Sequence, residues 1–137
     1  MPNENQIALS QYRLKKSRQC VIAAKNNLFD GDYENSANRS YYAIFHAIRA
    51  LLALDSLDFK KHSAVIAKFR ELYVKTGEFD VKFSRMVGEA FDLRTDCDYE
   101  DFYVVSKQEV EEQLKNATAF LEEMEHYIEK RIKSCAL

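Results

Sequence analysis

Arg39 and His46 are the two side chains of this sequence whose types and spacing best suit chemistry on a phosphodiester. A guanidinium keeps its charge at any working pH and can hold a phosphate, while an imidazole titrates near neutrality and can move a proton on or off a hydroxyl. Together they suffice for metal-free cleavage of RNA, in which the ribose 2′-hydroxyl attacks its neighbouring phosphate. Seven residues along a helix amount to roughly two turns and ~10 Å on one side. That is too far for one pair to grip a small group unless a second copy of the same face contributes. The plainer reading is a solvated helix face, with Arg39 paired to Glu34 or Asn35 and His46 merely polar.

Around this pair the sequence lays out a stripe. At helical spacing Asn35, Arg39, Tyr42 and His46 share one face, while Ala37, Tyr41, Ile44, Phe45, Ile48, Leu51 and Leu52 gather on the opposite one. Asn35 extends the polar stripe within reach of the arginine. Tyr42 can bond the histidine or stack on a base. Against that, Tyr41, Tyr42 and Phe45 read more readily as packing aromatics at a dimer seam. Arg49 continues the stripe one turn beyond His46, towards a flanking phosphate or as an ordinary surface arginine. A second cluster, Arg94, Asp96, Asp98 and Tyr99, reads as structural, with Arg94 tying an acidic loop to a helix end, or as a face for a basic partner. His62 with Lys60, Lys61 and Lys68 makes a small basic patch. Glu123 and His126 form a single Glu-x-x-His where a di-iron bundle needs two, so neither a metal nor a cofactor is expected.

The elements that must carry these residues follow from composition. The chain has 137 residues, one proline and three glycines, with 47% apolar and 31% charged residues, which points to a single all-α domain over 1–137. A net charge of −2 supplies no global field for nucleic acid, so any RNA contact has to be local. Three scattered cysteines, a polar start and no long apolar run predict a cytoplasmic protein without membrane association.

Leu14, Ser17, Val21, Ala24 and Leu28 predict a first helix from about Gln6 to Phe29, ended by Asp30-Gly31, with Asp32 capping the helix that bears the stripe. So short a link makes the pair an antiparallel hairpin. A third helix is expected from His62 to Thr76, with Ile66, Phe69 and Tyr73 inward, and a fourth from Asp80, fading near Leu93 to Thr95. Thr95 to Val105 reads as an ordered acidic and aromatic loop. Ser106 and Glu109 then form a capping box, with Val105 and Val110 as hydrophobic staple, before a long C-terminal helix carrying Leu114, Ala117, Leu121, Met124 and Ile128. The expected fold is an antiparallel bundle of four to five helices.

The residues NRSYYAIFHAIRALL, followed by KHSAVIAKF, VKTGEFD and DYEDFYVVSKQEVEEQL, resemble the HEPN family, the helical domains of higher eukaryotes and prokaryotes nucleotide-binding. The closer resemblance is to its small stand-alone bacterial and archaeal members, over nearly the whole chain to about Ile128. The family signature is an arginine, four to six residues, then a histidine, and Arg39 and His46 match it with six between. The resemblance implies a helical bundle that forms a homodimer with the signature faces together, so that two arginines and two histidines build one composite site. Active members are metal-independent endoribonucleases, often toxins encoded beside a minimal nucleotidyltransferase. Carried over, Arg39 neutralises the phosphate of an RNA substrate and His46 serves as general base or acid. Ser40 stands where many active members have Asn, Asp or His. Other members cleave nothing, and the alternative is a non-catalytic module partnering a minimal nucleotidyltransferase.

Overall fold

Asn3 opens the first helix. Its side chain accepts from the Gln6 N–H at 2.9 Å, and the Gln6 side chain accepts from the Asn3 N–H at 2.6 Å. This capping box starts the helix slightly earlier than apolar spacing indicates. The computed structural model describes residues 2–135 and contains α1 (Glu4–Phe29), α2 (Tyr33–Leu54), α3 (His62–Phe69), α4 (Val81–Tyr99) and α5 (Lys107–Cys135), with no strand among the described residues. The all-α fold and the long final helix are as expected from sequence. Among the described residues no helix is long and apolar enough to cross a membrane.

α1 and α2 pack as a hairpin. Gly31 turns the chain at φ +79°, a conformation that costs any residue with a Cβ, and Asp32 caps α2 through the Asn35 N–H. Small side chains bring the two helices close. Ser17 Oγ donates to the Ala43 carbonyl at 2.6 Å and Ser36 Oγ donates to the Ala24 carbonyl at 2.8 Å.

α2 is the axis of the molecule. Of its 22 residues 14 are buried, because α1, α5, α3 and α4 all pack on it. Tyr41, Ile44, Ile48, Leu51 and Leu52 are among the most deeply buried side chains, and each contributes roughly 1.5–3 kcal/mol of apolar burial. Beyond Tyr33 and Glu34 at its start, only the Asn35, Asn38, Arg39, Tyr42, His46 and Arg49 stripe stays open between α1 on one side and α3 and α4 on the other.

Two expectations are corrected. The third helix does not run evenly from His62 to Thr76: after Phe69 it widens into a π-helical turn over Arg70–Val74, with the Lys75 N–H on the Arg70 carbonyl at 2.8 Å. With the extra residue in that turn, Phe69 and Tyr73 both meet Phe79, at ring-centroid distances of 5.6 and 6.4 Å.

The second correction concerns Thr95 to Tyr99, which are helical rather than loop. Arg94 pairs with Asp98 one turn on at 3.1 Å, and Leu93 and Cys97 extend the inward stripe to meet Val105, Val110 and Ala37. Cys97 acts here as a small apolar side chain, which a reading that counts only aliphatics and aromatics passes over. The capping box before α5 is present, with the Glu109 N–H on Ser106 Oγ at 3.1 Å and the Ser106 N–H on Glu109 Oε1 at 3.2 Å.

Candidate functional site

The open stripe of α2 carries Arg39, Tyr42 and His46 side by side. The Arg39 guanidinium lies over the Tyr42 ring at 5.1 Å, and the Tyr42 and His46 rings are 6.0 Å apart. Arg39 and His46 both line a cleft of about 330 Å3, completed from α1 by Lys16, Gln19, Cys20 and Ala23. A spacing of three and four residues puts these α1 side chains on one face.

Arg39 is held but not neutralised. Its Nε and Nη2 donate to Asn38 Oδ1 at 3.1 and 2.6 Å, and among the described residues no carboxylate pairs with it. The expected partner Asn35 is engaged elsewhere: its Nδ2 donates to Asp32 Oδ2 at 2.6 Å, at the helix cap. Asn38, on the same exposed flank as Arg39, takes that place.

His46 sits half-buried in a positive field. Burial first, then Lys16, Arg49, Arg39 and Arg13, push its pKa down to about 4, so the imidazole is neutral at pH 7. Its buried Nδ1 has no hydrogen-bond partner among the described residues. A chain with a net charge of −2 therefore concentrates four cations around one neutral base. An anion placed among them would relax that field and restore part of the imidazole's basicity.

The other sequence-derived candidates separate. Ser40 is fully buried on the α1-facing stripe with Ser36 and Ala43, and its hydroxyl does not open to the cleft. A supporting role for Ser40 beside the reactive pair is corrected on that ground: one position after Arg39 on the helix, it points about 100° away from it. Arg49 Nη2 is bound to Asp58 at 3.0 and 3.3 Å, and Asp58 also takes Arg13 Nη2 at 3.2 Å. The bridge makes Arg49 a structural cation as well as a source of field.

Arg94 ties no loop. It pairs within α4 to Asp98, lies over the Tyr41 and Tyr42 rings at 5.3 and 5.6 Å, and donates to the Tyr42 hydroxyl at 3.4 Å. Tyr42 is thus held between two guanidiniums, Arg39 and Arg94. Asp96 lies near Tyr103 and Glu109 between α4 and α5, and Tyr99 is 74% exposed at the end of α4. Neither reaches the Arg39 and His46 cleft.

Sequence reasoning missed Lys16, Gln19 and Cys20. The available signal was the polar stripe of α1 opposite Leu14, Ser17, Val21 and Ala24, but which helix it borders is decided only by packing.

Residues 10–127 match the family model of the HEPN domain. The chain belongs to the HEPN family. A "UPF0332 protein" of Thermotoga maritima is 32% identical over 127 residues, covering 93% of this chain and 96% of that one. "Putative toxin MJ0142" of Methanocaldococcus jannaschii is 32% identical over 108 residues, 78% of this chain and 74% of its own. A "UPF0332 protein" of Archaeoglobus fulgidus is 32% identical over 120 residues, 88% and 95% of the two chains. The HEPN match includes every residue that lines the Arg39 and His46 cleft.

Proposed function

We propose that this HEPN protein is a metal-independent endoribonuclease, the toxin of a toxin–antitoxin pair, working as a homodimer whose facing α2 stripes bring two Arg39 and two His46 side chains to one RNA phosphodiester. The observation that carries the reading is the shared cleft, in which an unneutralised Arg39 and a neutral His46 lie on the same open stripe of an otherwise buried helix. Arg39 holds the phosphate. One neutral His46 takes the proton from the attacking 2′-hydroxyl, and the second, protonated as the bound phosphate raises its pKa, gives one to the leaving 5′-oxygen. The name of the Methanocaldococcus jannaschii relative supports the toxin assignment.

The test is cleavage of a mixed RNA by the purified protein in EDTA. Arg39→Ala and His46→Ala are each expected to cut the rate by at least about 100-fold, the scale of acid–base and phosphate-binding groups. Wild-type cleavage that survives both substitutions overturns the mechanism.

A non-catalytic module that docks a minimal nucleotidyltransferase is the second reading. It is favoured by the corner after α4, where Tyr99, Phe102 and Val104 stand exposed beside Asp98, Glu100 and Asp101. Growth arrest on expression of this chain alone separates the two: the nuclease produces it and the module does not.

A further inference from the structure

A second cleft of about 440 Å3 lies on the α3 side of the α2 stripe, lined by Phe45, Arg49, Asp58, Phe59, Lys60 and His62. Its size falls within the roughly 300–1,000 Å3 of small-molecule sites. One wall is aromatic. Phe45 and His62 stack with centroids 4.1 Å apart and planes at 27°, and the Tyr41 hydroxyl holds His62 Nδ1 at 2.8 Å, which fixes the ring and leaves Nε2 as its free nitrogen.

The rest of the cleft is cationic. Asp58 is the one carboxylate in it, and its two oxygens already accept from Arg13, from Arg49 and from the Phe59 N–H at 3.0 Å. One negative charge is therefore set against two arginines and Lys60, with Lys61 adjacent. α3 also begins here, and Lys61 gives it no side-chain cap, so the first-turn N–H groups add to the positive potential.

The two clefts flank a single ring. Tyr42 lies 6.0 Å from His46 on one side and 5.8 Å from His62 on the other. An RNA strand with its scissile phosphate at Arg39 and His46 can cross Tyr42 and place its next nucleotide in the second cleft.

We propose that this second cleft is a nucleotide subsite, with the phosphate on Arg49 and Lys60 and the base stacked against Phe59 and His62. Its place beside the cut rests on the ribonuclease reading, whereas binding of a nucleotide there does not. Stacking on an aromatic side chain strengthens nucleotide binding by about tenfold, which a phosphate-only site cannot reproduce.

The experiment is amide chemical-shift mapping of the wild-type protein titrated with 5′-AMP and, separately, with inorganic phosphate. AMP is expected to shift the Phe59 to His62 amides and to saturate at about one-tenth the phosphate concentration. Lys60→Glu should weaken both about tenfold, and Phe59→Ala should weaken AMP alone. Equal affinities for AMP and phosphate, shifts confined to the Lys16 and His46 cleft, or a Lys60→Glu effect under about twofold each overturn the subsite. The two readings fail separately. AMP mapping to Phe59–His62 in a protein that cuts no RNA sinks the nuclease and keeps the subsite; cleavage without those shifts does the reverse.

Discussion

Protonating His46 is the perturbation that most directly probes the candidate cleft. Lowering its pKa from 6.5 to about 4 corresponds to roughly a 300-fold loss of proton affinity, or about 3 kcal/mol at 1.36 kcal/mol per tenfold step. Because the ring is only half-buried, solvent screens part of this, and about 1–2 kcal/mol is expected to appear as stability. The sign follows from linkage. Between pH 6.5 and 4 the unfolded chain binds this proton and the folded one does not, so stability is complete above 6.5 and is lost as pH falls towards 4. His62, also pushed down by burial and by Arg94 and Arg49, adds in the same direction. The assay is an NMR titration of the imidazole resonances, assigned by single substitutions at His46, His62 and His126, beside urea melts at each pH. Lys16→Ala removes the second-largest cause and should raise the proton affinity of His46 about threefold. A 2′-deoxy oligonucleotide, which binds without being cut, should move the titration upward as its phosphates cancel the field. A His46 that titrates above pH 6 in the free protein, or one that ignores both Lys16→Ala and the oligonucleotide, refutes the account of a base held neutral by its surrounding cations.

The remaining predictions concern the frame and the pairing of the site. Ile48→Ala, at a fully buried position on the α2 axis, should cost about 2–5 kcal/mol in a denaturant melt. Asp58→Ala leaves Arg13, with a side chain only 9% exposed, beside Arg49 without their shared counter-ion, and a loss of about 1–3 kcal/mol is expected by the same melt. Mixing wild-type protein with an excess of the Arg39→Ala/His46→Ala double variant should suppress RNA cleavage, since a mixed dimer holds only one arginine and one histidine in the shared cleft. Cleavage that stays proportional to the wild-type protomers, with mixed dimers shown by native mass spectrometry, would argue for two independent sites.

How much of this was legible in the sequence depended on whether the information lay within one helix or between two. The stripe of Arg39, Tyr42 and His46 and its buried opposite face were readable because a 3.6-residue period fixes both from one segment. Gly31, Asp32 and the Ser106 and Glu109 box were readable for the same reason, being local turn and cap chemistry. The extension of α4 to Tyr99 was not, since Asp96, Asp98, Glu100 and Asp101 look like loop until Arg94 pairs with Asp98 and Cys97 finds Val105 and Val110. Nor could the sequence say that Lys16 and Cys20 border Arg39, that Asp58 bridges Arg13 and Arg49, or that Arg94 returns to Tyr42, because those contacts cross between helices. Arg94 shows the limit best: its one local partner, Asp98, suggested an acidic loop, while its aromatic partners lie 52 residues away at Tyr42 and near it at Tyr41.

The spacing of Arg39 and His46 gives the proposed dimer a physical reason beyond family habit, whereas the Nδ1 of His46 is buried out of reach of a second copy. A desolvated ring nitrogen without a hydrogen bond costs about 1–3 kcal/mol, and without a partner nothing in one protomer fixes which nitrogen carries the proton. Nearby Tyr42 does not supply the bond: its hydroxyl accepts from Arg94 and makes no hydrogen bond to Nδ1. A second copy is the partner the proposed mechanism requires, since its α2 stripe brings the Arg39 and His46 that a single protomer, with its pair about two helical turns apart, lacks at one phosphate. On this account, pairing of the stripes completes the phosphate grip, and cleavage should fall with the dimer on dilution while α2 itself, buried by α1, α3, α4 and α5, stays folded.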